Sequence, residues 1–178
     1  MRIVPGIALL LALSSPALAG GLTVGASLSQ TGGDEIDDTA GKGAFVRLRT
    51  GSRSALEVDL ARSSPEGESY TSTRLGAALV FDLSDRATGG ITPYALAGGG
   101  VTRTESQWWI GDHRHLEVGA GLDVALGRRA WLGVDARLGQ RDLVRDRLPN
   151  GVVILIYAPS VPEHHDYATM RLTLSFAM

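Results

Sequence analysis

Apolar and polar residues alternate with a period of two through most of the chain beyond residue 20, most cleanly over 115–139. There Leu116, Val118, Ala120, Leu122, Val124 and Leu126 share one face, against Glu117, Gly119, Gly121, Asp123 and Ala125. After a turn at Gly127, Arg128 and Arg129 the pattern resumes. Ala130, Leu132, Val134, Ala136 and Leu138 now lie opposite Trp131, Gly133, Asp135, Arg137 and Gly139. Successive side chains of a strand point to opposite faces, so this spacing predicts a β-hairpin and not a helix. One face is wholly apolar. The other mixes small residues with charges.

The same alternation predicts six more strands. The first runs over 22–30, with Leu22, Val24, Ala26 and Leu28 in register. The second covers 43–50, with Ala44, Val46 and Leu48 against Phe45, Arg47 and Arg49. A turn at Gly51, Ser52 and Arg53 leads to the third, where Leu56, Val58 and Leu60 oppose Ala55, Glu57, Asp59 and Ala61. The fourth is 72–83. The fifth starts at Ile91; its glycines blur the two faces, and it is read with Tyr94 and Leu96 outward. The last is 168–178. A turn centred on Ser52 pairs Leu48 with Leu56, Val46 with Val58 and Ala44 with Leu60. It also sets Arg47 directly opposite Glu57, and opposite charges at paired positions favour that register.

Eight strands are an even number. The connections near Ser52, Arg86 and Arg128 are short, and the others are mostly longer and more polar. Short turns on one side, long loops on the other and roughly ten-residue alternating segments are the requirements of an outer-membrane barrel. The predicted fold is therefore all-β, an eight-stranded antiparallel up-and-down transmembrane β-barrel. Its tight turns lie in the periplasm and its long loops outside.

Composition narrows the class. Hydrophobic residues make up 44% and charged ones 20% of the 178, which is not a disordered composition. There is no cysteine, so disulfides, thiolate metal sites and cysteine nucleophiles are excluded. The formal net charge of −2 indicates no nucleic-acid partner. Arg2, the apolar run Ile3–Leu13 and Ala17-Leu18-Ala19 read as an export signal over 1–19, leaving a barrel domain over 20–178.

The charged face collects Arg47, Arg49, Arg74, Arg137 and Arg171 with Glu57, Asp59, Asp82, Glu117, Asp123 and Asp135. Five cations against six anions is close to balance. A solvated face needs no balance, whereas a buried charge must be paired. An eight-stranded barrel is just wide enough for side chains to fill it. These eleven residues are thus expected to form interior ion pairs that plug the barrel. In the alternative, the same charges coat a soluble periplasmic ligand-binding barrel.

The chain resembles the small eight-stranded outer-membrane β-barrel proteins of Gram-negative bacteria, the OmpA/OmpX-like barrel superfamily. The carriers are the signal peptide, TPYALAGGG, GLDVALGRRAWLGVDARLG and the closing MRLTLSFAM. The resemblance implies an outer-membrane location, contact with membrane lipid and lipopolysaccharide, and a monomer. It also implies insertion by the barrel-assembly machinery, which reads the last strand. Such strands usually end in an aromatic residue; here Phe176 is third from the end and Met178 is last. The implied role is structural or surface-interactive, without catalysis and without a cofactor. Some barrels of this size modify lipid A. A deacylase resemblance would call for a His-x-Ser pair on the last strands, but His165 is followed by Asp166 and Tyr167.

Other chemistry is weaker. His113, His115, His164 and His165 are placed in outer loops beside Asp112, Glu163 and Asp166, where a divalent metal could bridge them; solvated loop residues are the plainer reading. Asp34, Glu35, Asp37 and Asp38 form an acidic loop that could hold calcium, without matching a calcium-loop motif. Trp108 and Trp109 are expected in the outer aromatic girdle. Ser106 or Ser160 with a loop histidine is a nucleophile–base pair that spacing alone does not support. The apolar run Val152–Ile156 does not alternate and is read as part of a loop hairpin above the barrel.

Overall fold

The computed structural model describes residues 21–33, 36–65, 70–84, 90–147 and 164–178. The signal region and the Val152–Ile156 run lie outside these residues. Eight strands make up the fold: β1 (Leu22–Gly33), β2 (Ile36–Arg49), β3 (Ser54–Pro65), β4 (Thr71–Asp82), β5 (Ile91–Glu105), β6 (Ile110–Ala125), β7 (Ala130–Arg147) and β8 (His164–Ala177). Each pairs antiparallel with its neighbour in sequence, and β8 closes onto β1 from Thr23–Ala177 to Gly33–Tyr167. Closure leaves no unpaired sheet edge, which is what lets a β-structure lie in hydrocarbon. Among the described residues no helix is long and apolar enough to cross a membrane.

The β2–β3 register has Leu48 on Leu56, Val46 on Val58, Ala44 on Leu60 and Arg47 on Glu57, as the Ser52 turn predicts. Outward positions form a continuous apolar band. On β6 it runs through Leu116, Val118, Leu122 and Val124; on β8 through Met170, Leu172, Leu174 and Phe176, all exposed. Within the apolar band the inward positions carry the charges and most of the glycines.

Two expectations need correction. First, the fifth strand turns Tyr94 and Leu96 inward, at 1% and 3% exposure. Space decides this. Tyr94 sits opposite Gly121, where a Cβ would come within 2.5 Å of the ring carbon Cζ, and Leu96 sits opposite Gly119. With Ala55 and Val80 they form a small apolar core inside the barrel. Second, the strands continue well beyond the apolar band. β1 and β2 are separated only by residues 34 and 35, and β5 and β6 only by 106–109. Much of what reads as long polar loop is hydrogen-bonded hairpin whose outward side has become polar.

Candidate functional site

The interior is built in layers along the strands. Nearest the chain termini, Arg49 Nη2 donates to Asp82 Oδ2 at 2.8 Å and to the Ser52 carbonyl at 2.7 Å. The central layer is organised by Glu57 on β3, which is fully buried. Its Oε2 accepts from Arg47 Nε and Nη2 at 3.0 and 2.8 Å. Its Oε1 accepts from Arg137 Nη2 at 3.0 Å and Arg171 Nη2 at 2.8 Å. One carboxylate thus ties β3 to β2, β7 and β8.

Arg137 in turn donates to Asp135 Oδ1 at 2.8 Å and Glu117 Oε1 at 2.6 Å. Arg47 also reaches Asp123 Oδ2 on β6 at 3.0 Å. Asp135 Oδ2 accepts from Arg171 Nε at 2.9 Å and from the Tyr94 hydroxyl at 3.0 Å. Arg47 and Arg171 stack near the Phe45 ring, at 5.6 and 5.3 Å from its centroid. Further from the termini, Arg74 donates to Glu117 Oε1 at 2.8 Å and lies 3.6 Å from Asp59. The structure therefore sets all eleven charged residues inside the barrel, each in at least one ion pair. Charge-assisted bonds in which each guanidinium is shared among several carboxylates offset part of the cost of burying charge.

Above this network, at the end away from the termini, lies a polar cavity of about 280 Å³. His113 and His115 line it. They belong to β6 and face inward, not to an outer loop; His115 is only 4% exposed. His165 lies on β8, and the side chain of His164 and the whole of Glu163 fall outside the described residues. Among the described residues no three His, Asp or Glu side chains gather in a metal-binding arrangement. His113 lies beyond the apolar band, where burial, with Arg141 and His165 nearby, lowers its imidazole to about 4.

Ser106 does not face an imidazole. Its Oγ accepts from the Trp108 and Trp109 amides, both at 3.1 Å, and so caps the β5–β6 turn. Ser160 lies outside the described residues. Trp108 and Trp109 sit in that turn, beyond the Arg103–Asp112 pair and clear of the apolar band; Trp109 lines the cavity. Asp34 and Glu35 fall outside the described residues, and Asp38 is exposed on β2.

On the outer wall the apolar band ends at a row of cations. Lys42 and Arg62 are directly paired across β2 and β3. Arg103 follows on β5, ion-paired with Asp112 at 2.8 Å, and Arg114 on β6, between Val101 of β5 and Asp142 of β7; all four cationic side chains are exposed on the outward face. Sequence reading missed this row because it placed Lys42, Arg62 and Arg114 in loops beyond the strands.

A closed eight-stranded barrel, apolar outside and charged inside, is the fold of transmembrane barrels of the outer-membrane type. Among solved structures the chain is similar to Neisserial surface protein A, with a TM-score of 0.60 at 12% identity over 88% of this chain and 96% of that one. It is also similar to the N-terminal β-barrel domain of Pseudomonas aeruginosa OprF, with a TM-score of 0.51 at 12% identity over 86% and 97%. At these identities the likeness is one of fold. No protein-family model and no curated protein sequence matches the chain.

Proposed function

We propose that the protein is a monomeric outer-membrane β-barrel, exported by a signal peptide cleaved after residue 19, with a structural or surface-interaction role. The observation that carries this is the Glu57-centred network. It spans the lumen from β2 to β8, and within that central layer the described charges are paired with one another. The interior holds the wall together, and interaction falls to the end away from the termini, which faces outward. The role includes no catalysis and no cofactor.

The row Lys42, Arg62, Arg103 and Arg114 supports contact with lipopolysaccharide. Lys42 and Arg62, like charges directly paired on the wall, repel unless an anion lies between them, and a lipid phosphate would be that anion; Arg103 and Arg114 already face Asp112 and Asp142. The closing strand, with Phe176 and Met178 outward, supports insertion by the barrel-assembly machinery. The test is two-part. The protein is expected in the outer-membrane fraction with a gel mobility that shifts on boiling, and proteoliposomes carrying it are expected to hold small sugars as well as empty ones. A soluble periplasmic product, or steady sugar efflux, overturns the reading.

A further inference from the structure

The cavity at the end away from the termini contains four buried nitrogens without a hydrogen-bond partner: Arg74 Nε, His113 Nδ1, His115 Nε2 and Arg141 Nε. All four residues line the same space. No other described residue has such an atom. Arg74 Nε also lies 3.6 Å from Asp59 Oδ2, so the case rests on His113 Nδ1, His115 Nε2 and Arg141 Nε. Buried polar nitrogens left unpaired are costly and rare, and three lining one cavity point to a polar ligand.

The surroundings say which kind. Among the described residues no carboxylate lines the cavity. The nearest acid below, Glu117, is saturated by Arg74, Arg137 and the Tyr167 hydroxyl at 2.8, 2.6 and 3.3 Å. Arg141 forms no ion pair with any described residue. Seven serine and threonine hydroxyls complete the wall, some already paired across strands, as Ser72 with Thr104 at 2.9 Å and Thr31 with Thr169 at 2.8 Å. Thr102 engages His115 Nδ1 at 3.4 Å, which aims Nε2 into the space.

The backbone makes room for the imidazoles. A Cβ at Gly100 would meet the Leu75 carbonyl first and also lie 2.9 Å from His115 Cε1, and one at Gly111 would lie 2.6 Å from Trp109 Cζ3 and 3.0 Å from His113 Nε2. A β-bulge in β7 opposite Asp112 and His113 adjusts the wall at that height.

We infer that this cavity is a binding site for a small oxyanion of the phosphate class, free or carried on a sugar. The Arg141 guanidinium supplies charge, Arg74 shares its own with Glu117 and Asp59, two imidazoles supply ring nitrogens, and the hydroxyl wall suits either phosphate oxygens or sugar hydroxyls. The volume accommodates inorganic phosphate or one phosphorylated monosaccharide. The site needs only the folded barrel and stands apart from the membrane placement proposed above.

The experiment uses the full chain in a polyoxyethylene micelle, a detergent with neither phosphate nor sugar. Inorganic phosphate, glucose 6-phosphate and glucose are titrated at constant ionic strength while the imidazole resonances of His113 and His115 are followed by NMR. Saturable shifts are expected with phosphate and are expected to weaken at least tenfold in Arg141→Gln and measurably in His113→Gln, both retaining the heat-dependent gel shift. Glucose 6-phosphate binding at least tenfold tighter than phosphate assigns the site to a sugar phosphate; equal affinities assign it to the bare anion. Absence of saturation with the wild-type chain overturns the proposal. So does glucose binding as well as its phosphate, or an affinity that Arg141→Gln leaves unchanged.

Discussion

Arg137 Nη2 donates to Glu57 Oε1 across the lumen at 3.0 Å, and neither side chain reaches solvent. The two residues are 80 positions apart and sit on β3 and β7. They make the barrel cross-section a bonded unit and not merely a ring of paired strands.

Glu57→Gln removes the charge that Arg47, Arg137 and Arg171 share. Leaving buried guanidinium groups under-compensated is expected to cost about 3–5 kcal/mol. Urea unfolding in micelles, followed by the gel shift, measures it. Arg49→Gln breaks a pair whose cation is one-quarter exposed and is expected to cost less. The reverse order would remove Glu57 from the centre of the account.

Gly121→Val is expected to prevent folding. Its Cβ would lie 2.5 Å from Tyr94 Cζ and 2.6 Å from the Val134 carbonyl oxygen. The ring could be removed, but the carbonyl belongs to the β6–β7 ladder. Tyr94→Ala is therefore expected not to restore the heat-shifted band, and full rescue would show that the backbone gives way.

Much of this was legible in the sequence, for a simple reason. A strand between lipid and a packed interior must alternate, so hairpins, register and the Arg47–Glu57 pairing follow from period and turn position. Legibility fails where that contrast fades. In the fifth strand Tyr94 and Leu96 alternate with Ala95 and Ala97, so both faces are apolar. What decides is the empty volume at Gly121 and the hydroxyl's partner Asp135 on β7, neither local in sequence. Strand ends were lost because, beyond Lys42, Arg62 and Arg114, both faces are polar although the ladder continues. The cavity was missed for the same reason. Its one available signal was Gly100 and Gly111, small residues placed where His115 and His113 need room.

Leu122→Arg puts a cation near the middle of the apolar band on β6. The expected cost is about 2–4 kcal/mol when the protein is measured in a bilayer. A neutral effect there would mean that this face does not meet hydrocarbon.

Replacing Lys42, Arg62, Arg103 and Arg114 by glutamine tests the cation row. Lys42 and Arg62 are expected to contribute on the order of 1 kcal/mol each toward anionic lipid, and Arg103 and Arg114, which face Asp112 and Asp142, less. Thermal unfolding in zwitterionic vesicles with and without anionic lipid reads it out. The wild type should gain stability from the anionic lipid, and the quadruple variant should gain little.

The central claim is which face of the sheet meets lipid, and spin labelling along β8 tests it most directly. The chain has no cysteine, so single cysteines at Thr169, Met170, Leu172, Thr173, Leu174 and Ser175 can be labelled cleanly. In bilayers, labels at 170, 172 and 174 are expected to collide readily with oxygen and poorly with a water-soluble nickel reagent, those at 173 and 175 to be immobilised and shielded from both, and that at 169, on the polar cavity, to meet the nickel reagent. Nickel-accessible labels at 170, 172 and 174 would contradict the account and put the apolar face in water.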